Sequence, residues 1–303
     1  ARFFMRALNF CKRNVPKEVP GIAFLSGGQS ELEATENLNS INKINDTNFL
    51  ITFSYGRGLQ ASALKEFGNI YSRLGNPTVG ALEARLTALE DGAMCVALSS
   101  GTSAVMYSLI NIMSQGDNFV AANQLYGGTY TMFDNILPEY GIDAKKVDIT
   151  DLKAVEESID DKTRAIYCET VTNPGLIVAD VTALSEIAHK HGIPLIVDAT
   201  FTTSAIQKSF DFGADIVVYS LTKWMSGHGR VIAGAVIEKG GFDWGNGNFP
   251  LYDKPDSSYG NMRWGHDLGD LGNVAYSLRL RTVPLRNLGA NMSPDTAFEV
   301  MSG

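Results

Sequence analysis

The feature that most restricts the fold is an alternation that runs the length of the chain. Short apolar runs of strand character recur, and each is followed by a segment with helical spacing. That order calls for strands joined by crossover helices, an α/β architecture with a mainly parallel sheet. Strands are expected over 21–25, 49–53, 94–98, 118–122, 164–168, 194–197, 214–219 and 232–237. Helices are expected over 30–43, 58–67, 79–89, 104–113, 152–159 and 181–191, with another opening at Tyr126-Gly127-Gly128. Ser30 with Glu33 three residues on has the capping-box pattern. Residues 240–272, rich in Gly, Asn, Asp and Trp, read as a long surface excursion, and 273–301 as helical with a break near Pro284.

Composition narrows the function. With 25 basic and 33 acidic residues, the 303-residue chain carries a net charge of -8, and its Lys and Arg are not clustered, which argues against general nucleic-acid binding. No run is long and apolar enough to span a bilayer. Cys11, Cys95 and Cys168 are odd in number and widely spaced, which fits a reducing cytoplasm rather than a disulfide framework or zinc ribbon. None of the four histidines has metal-ligand spacing, so no metal is expected, and His189 with His191 reads as a helix-end cap. The basic N-terminus, with Lys12, Arg13 and Lys17 before the first acid at Glu18, reads as a surface-helix face in preference to a presequence.

Several apolar strands end in a chemically capable residue. The 94–98 run leads into Ser99-Ser100-Gly101-Thr102, 164–168 into Glu169 and then Asn173-Pro174, 194–197 into Asp198, and 214–219 into Ser220-Leu221-Thr222-Lys223. Open α/β sheets bind ligands at the carboxyl ends of their strands, so these residues should converge on one crevice. Ser100, Gly101 and Thr102 open a helix and suit a phosphate, as do the hydroxyls of Ser220 and Thr222. Lys223 is a counter-ion or a Schiff-base former. Asp198 suits a protonated pyridinium nitrogen, and Tyr126 a flat ring. Singly, each is a common helix cap or surface residue; the conjunction favours a cofactor site.

Taken together, Tyr71-Ser-Arg73-Leu-Gly-Asn76-Pro77-Thr78, Leu125-Tyr126-Gly-Gly, Glu169-Thr-Val-Thr-Asn173-Pro174, Asp198-Ala-Thr-Phe and Ser220-Leu-Thr-Lys223 resemble the Cys/Met-metabolism family of pyridoxal-phosphate enzymes. Within it, Lys65-Glu-Phe-Gly-Asn-Ile-Tyr71, Phe242-Asp-Trp-Gly-Asn-Gly-Asn-Phe-Pro250 and Leu280-Arg-Thr-Val-Pro-Leu-Arg-Asn-Leu-Gly289 resemble O-acetylhomoserine sulfhydrylases. The resemblance covers about residues 65–303. It implies the large domain of a fold-type I transferase over 69–303, with the C-terminal substrate domain missing or truncated. It also implies that Lys223 forms the Schiff base and shuttles protons, Asp198 keeps the ring nitrogen protonated, Tyr126 stacks on the ring, and Asn173 bonds the ring oxygen. Ser100, Gly101, Thr102, Ser220 and Thr222 would surround the phosphate, while Tyr71 and Arg73 would reach the phosphate of a neighbouring subunit in a homodimer or homotetramer. The reaction implied is γ-replacement on O-acetylhomoserine by sulfide or a thiol, in methionine biosynthesis. Two positions depart from the pattern: Ala199 stands where Asn is usual, and Tyr219 where His is common. The family's carboxylate-binding arginine has no assigned counterpart here.

Upstream, Val19-Pro-Gly-Ile-Ala-Phe-Leu-Ser26-Gly27-Gly28, Ala34-Thr-Glu-Asn-Leu-Asn39 and Phe53-Ser-Tyr-Gly-Arg57-Gly-Leu-Gln-Ala-Ser-Ala-Leu-Lys65 resemble the C-terminal part of class I fructose-bisphosphate aldolase, over about residues 5–68. That implies a βαβα fragment of a TIM barrel over 1–68, with Ser26, Gly27 and Arg57 binding a sugar phosphate. The barrel lysine such a lyase needs is absent, so the segment is expected to have no aldolase activity. A composite chain follows, and its alternative readings are an aldolase or an inactive phosphate-binding protein.

Overall fold

The computed structural model describes residues 9–16, 18–25, 31–46, 49–54 and 71–303. It divides into two compact units, Ala1–Tyr71 and Ser72–Gly303. In the first, β1 (Gly21–Leu25) and β2 (Leu50–Ser54) pair in parallel, from Gly21 opposite Leu50 to Leu25 opposite Ser54. The helix α1 (Glu31–Ile44) makes the crossover between them. Ile41, Phe49 and Ile51 form a small core, flanked by Val15, Val19, Ile22 and Leu38. The expected cap Ser30, the helix over 58–67, and the sugar-phosphate candidates Ser26, Gly27 and Arg57 lie outside the described residues.

The second unit is built on a seven-stranded sheet. Its strands are β3 (Met94–Leu98), β4 (Asn118–Ala122), β5 (Asp143–Val147), β6 (Thr163–Glu169), β7 (Leu195–Asp198), β8 (Ile216–Tyr219) and β9 (Gly234–Glu238), in the spatial order 3-9-8-7-6-4-5. Strands 8, 7, 6, 4 and 5 run parallel, and β9 is antiparallel to both neighbours, β8 and β3. Every residue of β4, β6, β8 and β9 is buried, as a sheet covered on both faces requires. The edge strand β5 was not expected from sequence. Its Asp-Ala-Lys-Lys-Val pattern is only partly buried, and two lysines on an edge discourage further strand pairing.

Local chemistry explains the helices that frame the sheet. Asn76 caps α2 (Pro77–Glu90) by accepting from the Thr78 N–H at 3.0 Å, and Pro77 sits at the first turn, where its missing N–H costs nothing. Val79, Leu82, Leu86 and Glu90 form its buried face. Glu90 is fully buried and accepts from the Tyr219 hydroxyl, so Tyr219 serves a buried carboxyl; burial holds that carboxyl above its usual range. The helix α3 (Gly101–Ile110) starts three residues before its expected position because Ser100 and Ser103 form a capping box. Further along come α4 (Gly127–Thr131), α5 (Leu152–Glu157) and α6 (Val181–Lys190).

Three expectations are corrected. Residues 240–272 are not a surface excursion: Trp244, Phe249, Tyr252 and Trp264 are buried, and Trp244 stacks on Tyr252 and Tyr276 with ring centroids 5.1 Å apart. Polar composition hid aromatic anchors that supply a large buried area each. The C-terminal helical stretch is not broken at Pro284. A π-helical turn (Arg281–Leu285) follows α7 (Ala275–Leu280) and accommodates the proline; the chain leaves the helix at Gly289, with φ of 88°, before α8 (Pro294–Met301). His189 does not act as a cap through its ring: its Nε2 lies 2.9 Å from Asp215 Oδ2, and this bond raises its pKa. His191 alone occupies the C-cap position.

Glu238 fastens the aromatic cluster to the sheet. Its carboxyl, 1% exposed, accepts from the Ser277 N–H at 2.8 Å and the Trp244 indole N–H at 3.2 Å. Burial outweighs these bonds and pushes its pKa up to about 7, from 4.5. Below 4.5 the group is protonated in folded and unfolded chains alike, and it costs nothing. Above about 7 the fold must bury a charge that the unfolded chain hydrates. Its contribution to stability therefore falls as pH rises through this window, by about 3 kcal/mol in all. Glu238→Gln is expected to remove that fall, measured as urea-unfolding midpoints below about pH 5 and above about pH 8. An unchanged pH slope in the variant would show that Glu238 titrates normally.

Candidate active site

The carboxyl ends of five strands surround a cavity of about 620 Å³. Ser100, Gly101 and Thr102 enter it after β3, and Tyr126 after β4. Glu169 and Asn173 follow β6, Asp198 and Thr200 follow β7, and Ser220, Thr222 and Lys223 follow β8. Thus all the cofactor-site candidates expected from the sequence line one cavity, except Tyr71 and Arg73. Arg73 donates to the Arg286 carbonyl, and Tyr71 is more than half exposed.

The phosphate-suited corner is a tight seam between β8, β9 and the start of α3. A Cβ added to Gly101 would stand 2.5 Å from Ser220 Cβ, and one added to Gly234 would stand 2.1 Å from the Ser100 carbonyl oxygen. Two glycines therefore let the helix N-terminus approach the Ser220 loop. The Ser100 hydroxyl is committed to capping, accepting from the Ser103 N–H at 3.0 Å, so the N–H groups of the first helical turn are what that end presents to an anion. Thr222 is likewise engaged, its Oγ1 accepting from the Ala233 N–H at 3.0 Å. Ser220 is held in place by its N–H, which donates to Thr200 Oγ1 at 2.8 Å. Thr200 was not singled out from sequence, since a threonine two residues past a strand carries no particular signal.

At the centre, Asp198 Oδ1 accepts from the Thr200 N–H at 2.9 Å, and the Tyr167 hydroxyl lies 3.4 Å from Oδ2. Among the described residues no cation forms an ion pair with Asp198, and burial raises its pKa. A buried carboxylate aimed into a cavity without a cation is what a protonated ring nitrogen would complete. Ala199 beside it is fully buried, so the smaller side chain fits where the family usually has Asn. The Tyr126 ring packs beside Gly128, where a Cβ would come within 2.7 Å of Tyr126 Cε1. Lys223, exposed in the cavity lining, forms no ion pair among the described residues. The donor set, the unpaired acid and the amine together fit pyridoxal phosphate.

Glu169 had been noted as a polar strand end without a role. It is 5% exposed, and its two oxygens accept separate backbone bonds: from the Tyr126 N–H at 2.6 Å and the Asn173 N–H at 3.0 Å. Burial chiefly, with the neighbouring charge of Asp198, raises its pKa to about 7 against the pull of those N–H groups.

Comparison with known proteins follows the same line. The family model described as Cys/Met metabolism PLP-dependent enzyme matches residues 33–303. The start of this match at residue 33 extends the family's reach well upstream of the expected boundary near 65. An O-acetyl-L-homoserine sulfhydrylase of Leptospira meyeri is 42% identical over 245 residues, covering 79% of this chain and 55% of the relative. A homocysteine synthase of Schizosaccharomyces pombe is 41% identical over 243 residues, 79% of this chain and 56% of the relative. The crystal structure of an O-acetylhomoserine (thiol)-lyase from Campylobacter jejuni subsp. jejuni, which carries a pyridoxyl-lysine-phosphate, superposes with a TM-score of 0.75 at 38% identity, over 80% of this chain and 60% of that one. The chain thus spans little more than half the length of these relatives.

Proposed function

The chain belongs to the Cys/Met metabolism PLP-dependent enzyme family, and from that premise we propose that it catalyses γ-replacement on O-acetylhomoserine. Its fold is that of the fold-type I PLP-dependent transferases. In the proposed reaction the Cγ–O bond breaks, acetate leaves, and sulfide or a thiol forms the Cγ–S bond, giving homocysteine or methionine. The observation that carries this reading is that Lys223 and the cation-less Asp198 share one cavity with a phosphate-suited helix start.

Pyridoxal phosphate, when bound, supplies an electron sink for charge developing at the substrate's α-carbon. The chain's own groups do the rest. The first-turn N–H groups of Gly101 and Thr102, with the Ser220 and Thr222 side of the seam, would hold the phosphate. Asp198 would stay ionised against the ring nitrogen and so keep its proton in place. Tyr126 would cover one ring face, and Asn173 would donate to the ring oxygen. Lys223 Nζ would take the proton from the substrate's Cα and return it.

We further propose a homodimer or homotetramer in the cytoplasm. Arg73 and Tyr71 are outside this chain's own cavity lining, which suits a role toward a second copy. Residues 69–303 would form the cofactor domain. For residues 5–68 we retain the aldolase-like reading as one of sequence only, supported by the parallel β1–α1–β2 unit; the family match reaches into this segment from residue 33.

The test is borohydride reduction of the purified chain with pyridoxal phosphate, then peptide mapping, then incubation with O-acetylhomoserine and sulfide. A pyridoxyl group on the Lys223 peptide, with homocysteine and acetate released in equal amounts, is expected. Absence of label on a folded protein would sink the cofactor reading. Label without product would confine the chain to cofactor binding.

A further inference from the structure

We propose that Glu169 is a positioning residue that fixes Tyr126 and Asn173 together. The inference rests on the cofactor reading above. Tyr126 and Asn173 lie on different loops, after β4 and β6, yet they would contact the same ring: one its face, the other its oxygen. Nothing in the sequence spacing couples them. The coupling lies in one side chain, because Glu169 Oε1 accepts the Tyr126 N–H at 2.6 Å and Oε2 accepts the Asn173 N–H at 3.0 Å.

A carboxylate suits this task. It offers acceptors on both oxygens, and charge-assisted bonds to N–H groups are shorter and stronger than neutral ones. The side chain is buried, so water cannot readily replace either bond. Its strand is also fixed: Glu169 stands opposite Asp198 in the β6–β7 register, and the Thr170 N–H donates to the Asp198 carbonyl at 3.0 Å. The clamp and the ring-nitrogen acid are thus neighbours on one rigid ladder. Distances from Asp198 to the Tyr126 and Asn173 loops are then set by two strands rather than by loop conformation.

Glutamine at this position has nearly the same shape but a single acceptor oxygen, and its amide N–H₂ would face a second donor. Glu169→Gln should therefore release one loop while leaving the sheet intact. Glu169→Asp keeps the charge but is one methylene too short to reach both loops.

The experiment is residue-resolved amide hydrogen exchange on cofactor-free protein, paired with pyridoxal-phosphate titration and circular dichroism of the bound chromophore. In the wild type, the Tyr126 and Asn173 amides should be protected. In Glu169→Gln, exchange at one or both should rise about tenfold or more, while Thr170 and Ala199, whose N–H groups bond to the Asp198 and Val218 carbonyls, keep their protection. Cofactor affinity should weaken about tenfold or more and the dichroic band should shrink, with partial recovery of neither in Glu169→Asp. Unprotected wild-type amides at Tyr126 and Asn173 would overturn the proposal without recourse to any variant. So would a Glu169→Gln protein with wild-type exchange, affinity and dichroism. Failure of the wild type to take label at Lys223 defeats the underlying cofactor reading, and is seen separately because exchange is measured without cofactor.

Discussion

Replacing Lys223 with alanine is expected to abolish borohydride-stable capture of pyridoxal phosphate and to lower turnover of O-acetylhomoserine by about a thousandfold or more. The amine lines the cavity with Asp198, Tyr126 and the phosphate-suited seam, and it is tied up in no ion pair among the described residues. Removing it takes away both the group that holds the cofactor covalently and the group placed to move a proton at Cα. Reversible cofactor binding should survive in part, because the helix start, Asp198 and Asn173 are untouched. The measurement is a pair: mass mapping after reduction, and release of acetate and homocysteine. A reduced label on another lysine, with turnover intact, would remove Lys223 from the proposed role.

The second large effect is expected from Gly101→Ala. The added Cβ would stand 2.5 Å from Ser220 Cβ and 2.8 Å from Ser220 Cα, and a backbone atom cannot rotate out of the way. The start of α3 must move off the Ser220 loop. Overpacking of this kind costs about 1–3 kcal/mol. Because the same seam would hold the phosphate, cofactor affinity should fall by about 10- to 100-fold. Gly127→Ala is the matched control. It too lies near the cavity, beside Tyr126, but an added Cβ there meets nothing within 4 Å. Its affinity and unfolding midpoint should stay close to wild type. Equal behaviour of the two variants would show that the seam is not where the cofactor's phosphate is held.

These two predictions differ in what revealed them. Lys223 was visible in the sequence, because Ser-Leu-Thr-Lys follows an apolar strand and strand ends in α/β sheets face the ligand side. Gly101 was visible only as part of a helix-opening turn. Its near contact with Ser220, 119 positions away, needed coordinates. Glu169 shows the same limit more sharply: as a residue it was plain, but its role depends on two N–H groups brought to it from loops 43 and 4 residues away.

The sequence by itself determined the α/β class, most strand and helix positions, and the set of polar strand ends that meet in the cavity. These rest on local periodicity and on caps and turns, which act over a few residues. Only the tertiary structure decided that β9 inserts antiparallel between β3 and β8, that the 240–272 stretch buries its aromatics, and that Pro284 sits within a π-helical turn with the helix ending at Gly289. Strand order and burial depend on pairings between distant segments, whose free energies come from the surface they remove from water together. No single segment carries that information, so composition alone could present a buried aromatic cluster as a surface loop.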